Sequence, residues 1–558
     1  MVSRLWQAFS RQASAQVGSG TLAVPGAWTL AALGIAALAA VPLLAVVLAA
    51  PGEGLAALAR LAQTVLATYV LNTAALMLLA GGLAAVIGTA SAWLVSVCAF
   101  PGRRVLSWAL VLPLAVPSYI AAYLYADMLD VSGPVQSALR SATGWQVGEY
   151  AIPSIRSLPG GAFILGLVLY PYVYLLARTA FARQSTRQFR AARSLGAGPW
   201  RAFRSVALPA ARPAIAGGVA LVCMEVLADF GVAEYFAIPT FSTGIFRSWL
   251  AMGDREGAMG LAALMLVFVA VLVALEAGSR RGSSAGQDSN AVGEELVVLT
   301  RWGKAGAFVV CALPVLLGFV IPAAHLIMLS TAPEAIAAAR NLGSYASASL
   351  WLGLAVALTC VTLALVLAFA KARATGPLVS GVIRLATLGY ALPGALLAVG
   401  LLAPLGWLDQ RLTGFARDAL GYGGGLVLSG TALILIYALS VRFLTVAYNA
   451  LDGGMARIPP SLDAAARSLG ARPARVLSRI YVPLLRPSLL AALALVVIDT
   501  LRELPATLIL RPFNLETLAT RTYRLASDER LVEASIPALI LLGVGLIPVL
   551  LLTRTKAN

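Results

Sequence analysis

Residues 193–209 read RSLGAGPWRAFRSVALP, and residues 467–483 read RSLGARPARVLSRIYVP. The two phrases lie 274 positions apart, and the same offset relates several polar residues that follow them. The matched pairs are Glu225 with Asp499, Asp229 with Glu503, Thr243 with Thr517, Arg247 with Arg521, and Asp254 with Asp528. Pro117 and Pro393 match at a nearly equal offset, and we expect Pro113, Pro117 and Pro393 to kink the third span of each half. A repeat of this length indicates two homologous halves.

The composition is that of a membrane protein. The chain has 558 residues, of which 60% are hydrophobic and 12% are charged, with a mean hydropathy of +0.87. Soluble domains carry about 25% charged residues, and apolar runs of roughly 18 residues or more are typical of transmembrane helices. We predict twelve spans, near 27–50, 65–99, 106–126, 161–181, 213–237, 259–278, 305–330, 347–370, 383–404, 424–446, 486–510 and 532–553.

The distribution of Lys and Arg predicts the topology. Basic residues concentrate in alternate loops, which places those loops and both termini on the cytoplasmic side. An even number of spans in each half gives a parallel repeat. The predicted fold is therefore all-α and polytopic, with about twelve transmembrane helices in two parallel homologous six-helix halves. The predicted segments are an N-terminal cytoplasmic tail (1–26), a first half (27–278), a cytoplasmic linker (279–303), a second half (304–553) and a C-terminal tail (554–558).

Several functional classes lack sequence support. His325 is the single histidine, and four cysteines (Cys98, Cys223, Cys311 and Cys360) are scattered through apolar runs without metal-ligand spacing, so we expect no metal site and no stably bound cofactor. The chain has no GxxxxGK[ST] loop and no hydrolase triad, which indicates a non-enzyme that would depend on a partner for ATP hydrolysis. The formal charge of +17 is explained by topology and contact with membrane lipid, without a nucleic-acid partner.

The repeated phrase predicts a short helix–turn–helix elbow outside the bilayer. Helix-forming residues precede Gly196 and Gly470, where the chain can turn. Pro199 and Pro473 suit the first turn of a second helix, and we expect Pro209 and Pro483 to end that helix. The apolar positions of the first elbow are too few for a core and suit a knob that docks into a partner's groove; they are Ala191, Leu195, Phe203 and Val206.

The phrase resembles the EAA loop of permeases of ATP-binding-cassette (ABC) importers: Glu-Ala-Ala, three residues, Gly, nine residues, Ile, one residue, Leu-Pro. Arg190 and Ala464 occupy the glutamate positions here, with Asp463 one residue before the second. The resemblance implies a type I ABC importer fold in which each elbow sits in a groove of a cytoplasmic ABC ATPase dimer. The residues it assigns to coupling are Ala191, Ala192, Leu195, Gly196, Pro199, Val206, Pro209, Ala465, Ala466, Leu469, Gly470, Pro473, Ile480 and Pro483.

The stretches after the elbows, EVLADFG and ELPATL, resemble those of the fused permeases of bacterial ferric-iron importers. This resemblance implies a multi-pass protein of the bacterial inner membrane, ferric iron as cargo, ATP used by the partner subunit, and delivery by a periplasmic substrate-binding protein. Related permeases carry thiamine, polyamines, sulfate or phosphonates, so other cargoes stay open. A docking surface for the binding protein is expected in segments 238–258 and 511–533, at Arg247, Asp254, Arg521 and Asp528.

Four acidic residues are candidates for the transport pathway: Glu225, Asp229, Asp499 and Glu503. Glu225 lies about 18 Å into its span at ~1.5 Å per residue, and Glu225 and Asp229 are expected on one helix face. Carboxylates inside a membrane face the bundle interior or a wet cavity. They could alternatively pair with Arg502 or bind freed backbone groups. A proton-coupled secondary transporter is the rival reading, but it does not account for paired ATPase-docking elbows.

Overall fold

A computed structural model describes residues 27–183, 198–281, 297–373, 376–420 and 428–554. Within these ranges, nine helices are long and apolar enough to cross a membrane, and the number rises to twelve if each of three bent helix pairs counts as one span. The protein is therefore an all-α, multi-pass membrane protein, as the sequence predicts.

The described residues of the first half form twelve α-helices and one short strand. The helices are α1 (Ala27–Ala49), α2 (Leu55–Ala62), α3 (Leu66–Val97), α4 (Arg103–Ala109), α5 (Ser118–Leu129), α6 (Pro134–Thr143), α7 (Leu158–Arg183), α8 (Pro199–Ala202), α9 (Leu208–Ala228), α10 (Gly231–Tyr235), α11 (Phe241–Phe246) and α12 (Arg255–Arg281). Strand β1 (Cys98–Ala99) follows α3 and pairs in parallel with β2 (Val297–Val298), which lies within the predicted linker.

The second half repeats this plan. Its helices are α13 (Arg301–Val315), α14 (Ile321–Ser330), α15 (Pro333–Ala338), α16 (Leu342–Arg373), α17 (Pro377–Ala386), α18 (Gly394–Leu420), α19 (Leu433–Met455), α20 (Pro460–Ser468), α21 (Pro473–Val476), α22 (Val482–Leu484), α23 (Arg486–Arg502), α24 (Pro505–Leu510), α25 (Leu518–Ser527) and α26 (Leu531–Arg554). Helix α19 starts later than the predicted span 424–446, and residues 424–427 of that prediction lie outside the described ranges.

The third span of each half is sharply bent, as its prolines predict. The chain turns by 91° between Ala115 and Ser118 and by 113° between Ala391 and Gly394. Pro117 and Pro393 immediately precede the second helix of each pair. Proline removes a backbone donor and disfavours helix at the preceding residue, so the bend forms there.

The halves exchange their first helices. Ala32, Ile35 and Ala36 of α1 are buried in a cluster that otherwise consists of second-half residues. In return, the Tyr125 hydroxyl of the first half donates to the Leu317 carbonyl at 2.5 Å, between α13 and α14. The two halves therefore do not pack as independent bundles. The sequence does not predict this exchange of packing partners, because an apolar run does not specify the helix against which it packs.

The fifth spans end earlier than predicted. The predicted C-terminal ends of spans 213–237 and 486–510 are wrong, because α9 ends at Ala228 and α23 ends at Arg502. Asp229 and Glu503 then adopt extended backbone angles, with ψ of 131° and 127°. Asp229 therefore does not continue the helical face of Glu225. Its carboxylate and that of Glu503 instead bind the backbone of the next short helix.

The two halves lose the constant offset after these breaks. Thr240 and Thr243 form a capping box at α11, and Thr517 and Thr520 form the same box at α25. Thr240 therefore occupies the structural position of Thr517. The ungapped repeat instead pairs Thr517 with Thr243, three residues further along the chain. The pairings of Arg247 with Arg521 and Asp254 with Asp528 fail for the same reason, because the second half has three additional residues in this connection.

The elbows continue into the fifth spans through a wider helical turn. Pro199 and Pro473 begin α8 and α21, as expected. Pro209, however, does not end a helix, because the chain runs through a π turn at Phe203–Ala207 directly into α9. In the second half the chain bends by 77°, two residues after Pro483. Proline is tolerated in the first turn of a helix, where its missing N–H is not needed.

Candidate functional site: a polar cavity between the halves and two elbows

A cavity of about 280 Å³ lies between the two halves. Its wall includes the bend of the third span, both fifth-span breaks and part of α26. All four predicted pathway acids line it, together with two arginines that the sequence analysis did not assign to a cavity; the six charged residues are Glu225, Asp229, Arg442, Asp499, Arg502 and Glu503. The repeat therefore brings matched acidic residues from both halves to one place.

Two of the acids cap short helices. Asp229 Oδ1 accepts hydrogen bonds from the backbone N–H groups of Val232 and Ala233, at 3.0 and 3.4 Å. Its Oδ2 accepts from the Ser118 hydroxyl at 2.8 Å. A carboxylate at a helix N-terminus is stabilised by the free N–H groups and the helix dipole. Asp229 therefore holds the break of the fifth span against the bend of the third.

Glu503 does the same in the second half. Its carboxylate accepts from the N–H groups of Ala506 and Thr507, at 2.9 and 3.0 Å, and from the Thr507 hydroxyl at 2.7 Å. Arg442 lies 3.4 Å from Glu503 Oε1, and both side chains are largely buried. The alternative that some acids satisfy backbone groups is thus correct for Asp229 and Glu503.

Glu225 and Asp499 remain oriented towards the cavity. Each lies in the last turn of its span, and they occupy equivalent positions in α9 and α23. The Tyr390 hydroxyl donates to Glu225 Oε1 across the interface at 3.5 Å. Arg502 donates to the Leu114 carbonyl at 3.0 Å, also across the interface. These two acids are the cavity carboxylates whose oxygens are least committed to the backbone.

Two glycines leave room for side chains of the cavity wall. A Cβ on Gly231 would lie 2.4 Å from Tyr119 Cβ, and a Cβ on Gly394 would lie 2.6 Å from Arg442 Nη1 and 2.7 Å from Glu503 Oε1. Both contacts are far below van der Waals separation, so a side chain at either position would displace the wall of the cavity.

The second elbow is an exposed hairpin on a buried base. Ala466, Val476 and Tyr481 pack with Phe369 of α16. Arg373, at the end of α16, pairs with Asp463 at 3.2 Å, and both side chains are less than one-fifth exposed. Asp463, one residue before the usual glutamate position, therefore supplies a buried carboxylate that ties the elbow to the membrane span.

The tip of this elbow points away from the protein. Gly470 has a φ of +75°, and a Cβ there would meet no atom within 4 Å. Leu469 is 86% exposed, although burial of a leucine side chain is worth about 1.5–3 kcal/mol. Ala465, Pro473 and Pro483 are also exposed, whereas Ala466 is buried and Ile480 is half-buried.

The described part of the first elbow packs inward at Phe203. Its ring lies 4.8 Å from Trp93 and 6.4 Å from Phe181, and only 8% of Phe203 is exposed. The expectation that Phe203 belongs to a free knob is therefore wrong. Trp200 is 67% exposed, and Val206 and Pro209 are half-buried. The remaining predicted contacts, Ala191, Ala192, Leu195 and Gly196, lie outside the described residues.

The fifth spans α9 and α23 separate the elbows from the four residues assigned to binding-protein docking. Arg247 and Asp528 are exposed. Asp254 accepts the Gly257 N–H at 2.9 Å and so caps α12, and the Arg521 guanidinium lies 5.2 Å from the Tyr345 ring centroid. Asp254 and Arg521 therefore already make contacts within this chain.

The sequence analysis missed the aromatic and basic members of the cavity. Tyr119, Tyr172, Tyr390 and Arg442 lie on spans with no charge pattern that marks them. The position of Arg442 inside a span could have indicated the cavity, because a charged side chain inside a membrane rarely lacks a partner. Among the described residues, no group of three or more His, Cys, Asp or Glu side chains forms a metal site.

Two halves, a polar cavity between them, a described second elbow and a partly described first elbow are the features that the membrane subunit of a transporter requires. Residues 84–277 match the family model described as "Binding-protein-dependent transport system inner membrane component". This chain belongs to that family of ABC importer permeases, which are transport subunits and not enzymes.

Three relatives illustrate the range of the family. The Fe(3+)-transport system permease protein FbpB 2 of Haemophilus influenzae is 25% identical over 84% of this chain and 86% of its own length. The sulfate transport system permease protein CysW of Escherichia coli is 30% identical over 38% of this chain and 70% of its own. The molybdenum transport system permease protein ModB of Escherichia coli is 28% identical over 33% of this chain and 80% of its own.

Proposed function

We propose that this chain is the membrane subunit of a bacterial inner-membrane ABC importer that carries ferric iron. The similarity to an Fe(3+) permease along most of both chains supports this cargo. The observation that carries the proposal is the charge of the cavity lining, which holds four carboxylates and two guanidinium groups, with Glu225 and Asp499 the carboxylates least committed to the backbone. A formal excess of negative charge favours a cation, and ferric iron is a hard ion that prefers oxygen ligands.

The proposed mechanism is alternating access between two parallel halves, 27–278 and 304–553, with both termini cytoplasmic. A periplasmic binding protein would deliver the cargo at the surface that includes Arg247, Asp254, Arg521 and Asp528. A cytoplasmic ATPase dimer would close on ATP, move both elbows and open the cavity outward, and hydrolysis would restore the inward state.

The elbows would transmit this movement through rigid contacts. The Arg373–Asp463 pair and the aromatic contact between Phe369 and Tyr481, with ring centroids 5.4 Å apart, join the second elbow to α16. An exposed Leu469 beside Gly470 suits insertion into a groove of the ATPase. A secondary transporter would have no use for this exposed apolar tip.

The cargo is tested by uptake in cells that lack this chain and in cells where it is restored. Radiolabelled ferric ion, molybdate, sulfate, thiamine and spermidine are compared under iron limitation. We expect selective loss and recovery of ferric uptake, and we expect the double variant Glu225→Gln with Asp499→Asn to abolish it. Glu334→Gln, on an exposed helix start, is the control. Unchanged ferric uptake on deletion would refute the proposed cargo.

Oxyanion import is the second candidate. Arg442 and Arg502 line the cavity, and sulfate and molybdenum permeases are among the relatives. Arginine is well suited to oxyanions. In this structure, however, Arg442 is paired with Glu503 and Arg502 donates to a backbone carbonyl, so fewer donors remain for an anion. Selective loss of molybdate or sulfate uptake on deletion would establish this alternative.

A further inference from the structure

A column of tyrosine rings leads away from the cavity. Tyr119 and Tyr123 are one helical turn apart on α5, with ring centroids separated by 5.8 Å. Tyr235 of α10 continues the column with its ring 4.4 Å from that of Tyr123. Tyr523 of the second half lies nearby, with its ring centroid 5.8 Å from that of Phe230, the residue before α10. The column therefore lies where the two halves meet.

The column connects the cavity with the face opposite the elbows. Tyr119 lines the cavity. At the other end the Arg156 guanidinium lies 5.1 Å from the Tyr235 ring centroid and 3.5 Å from Asp130. Arg156 precedes α7, whose opposite end carries Phe181 next to the first elbow. The rings thus bridge the cavity and the side from which an importer receives its cargo.

Two hydroxyls of the column are buried without partners. Tyr119 is 5% exposed and Tyr123 is fully buried, and neither hydroxyl has a hydrogen-bond partner among the residues that the structure describes. Leaving a buried hydroxyl unpaired is costly, whereas a phenylalanine would fill the same space without that cost. Their burial is explained if another state of the transporter gives these hydroxyls a partner.

We infer that this column is the inlet of the transport path, and that the Tyr119 and Tyr123 hydroxyls are oxygen donors to ferric iron as it passes from the outer face to the cavity. This inference rests on the proposed ferric cargo. Tyrosine oxygen is a known axial ligand of haem iron, and ferric iron is a hard ion that prefers oxygen ligands. Tyr119 lines the cavity between the halves, and α26 of the second half packs against α5, so separation of the halves would expose α5 and bring these hydroxyls into contact with the cargo. In the conformation described here the packed rings close the path.

The test removes the hydroxyls and keeps the rings. Tyr119→Phe and Tyr123→Phe are compared with Tyr170→Phe, a matched control on α7. Tyr170 is also fully buried with an unpartnered hydroxyl among the described residues, but it belongs neither to the column nor to the cavity wall. The complete importer, with its ATPase and binding protein, is reconstituted in liposomes. Ferric uptake and the thermal midpoint are measured for each variant.

The expected result separates transport from folding. Ferric uptake should fall about tenfold in Tyr123→Phe and in Tyr119→Phe, as for the loss of one bond to a charged group, while Tyr170→Phe transports normally. The thermal midpoint should be unchanged or higher in all three variants. Equal uptake by the column variants and the control would overturn the inference while leaving ferric transport intact. Absence of ferric uptake by the unmodified importer would overturn both, and so identifies a failure of the proposed cargo.

Discussion

Replacement of Gly470 by leucine tests the role of the elbow with little disturbance of the fold. At a φ of +75°, a residue with a Cβ costs about 1–2 kcal/mol. No atom lies within 4 Å of the added Cβ, so steric overlap within the chain adds no further cost at that atom. The new side chain would project from the elbow tip beside Leu469. We expect a small loss of stability and a loss of ATPase binding that abolishes uptake.

Gly144 provides a matched control at the opposite end of the molecule. It follows α6 with a φ of +74°, and a Cβ there also meets no atom within 4 Å. Gly144→Leu should therefore lose the same conformational energy but keep the ATPase. The assay is retention of ATP hydrolysis activity by the purified importer, together with the thermal midpoint. Equal ATPase retention in the two variants would refute the assignment of Gly470 to the ATPase contact.

Two further substitutions test the cavity wall and the base of the elbow. Gly394→Ala places a methyl group against the Arg442–Glu503 pair and should lower the free energy of unfolding by about 1–3 kcal/mol, as measured by thermal or denaturant unfolding in detergent. Asp463→Asn removes the charge that pairs with Arg373 in a largely buried site and should reduce ATP-driven uptake more than it reduces binding of the ATPase, because the elbow remains but is less firmly joined to α16.

Each of these variants has a control. Gly381→Ala adds a methyl group where no atom lies within 4 Å, and it should be neutral or slightly stabilising. Asp452→Asn removes a partner of Lys371, to which it is bonded at 2.7 Å in a more exposed pair outside the elbow. Uptake by Asp463→Asn equal to that of Asp452→Asn would contradict the proposed mechanical link.

The internal repeat and the positions of the prolines were sufficient to predict much of the architecture. Pro117 and Pro393 predicted the bends of the third spans because proline acts locally on the backbone. The matched acids Glu225 and Asp499 were correctly expected inside the bundle, because an intramembrane carboxylate is too costly to face lipid. Local chemistry thus identified both features without any knowledge of the tertiary packing.

The features that the sequence did not predict depend on contacts between distant segments. The apolar residues of α1 do not indicate which half this helix packs against. The early end of α9 at Ala228 was missed because Asp229 gains its backbone partners only after the chain turns there. The three-residue shift after Glu503 was missed because Thr243 and Thr517 coincide in an ungapped comparison, although their capping partners differ.

The most direct test of the central claim is transport by the reconstituted importer. The purified chain with its ATPase and binding protein is placed in liposomes, and ATP-dependent accumulation of radiolabelled ferric ion is compared with that of molybdate and sulfate. The account predicts ferric accumulation that requires ATP and is lost in the variant with both Glu225→Gln and Asp499→Asn. Accumulation of an oxyanion in place of ferric ion, or ferric accumulation that is unaffected in that variant, would contradict it.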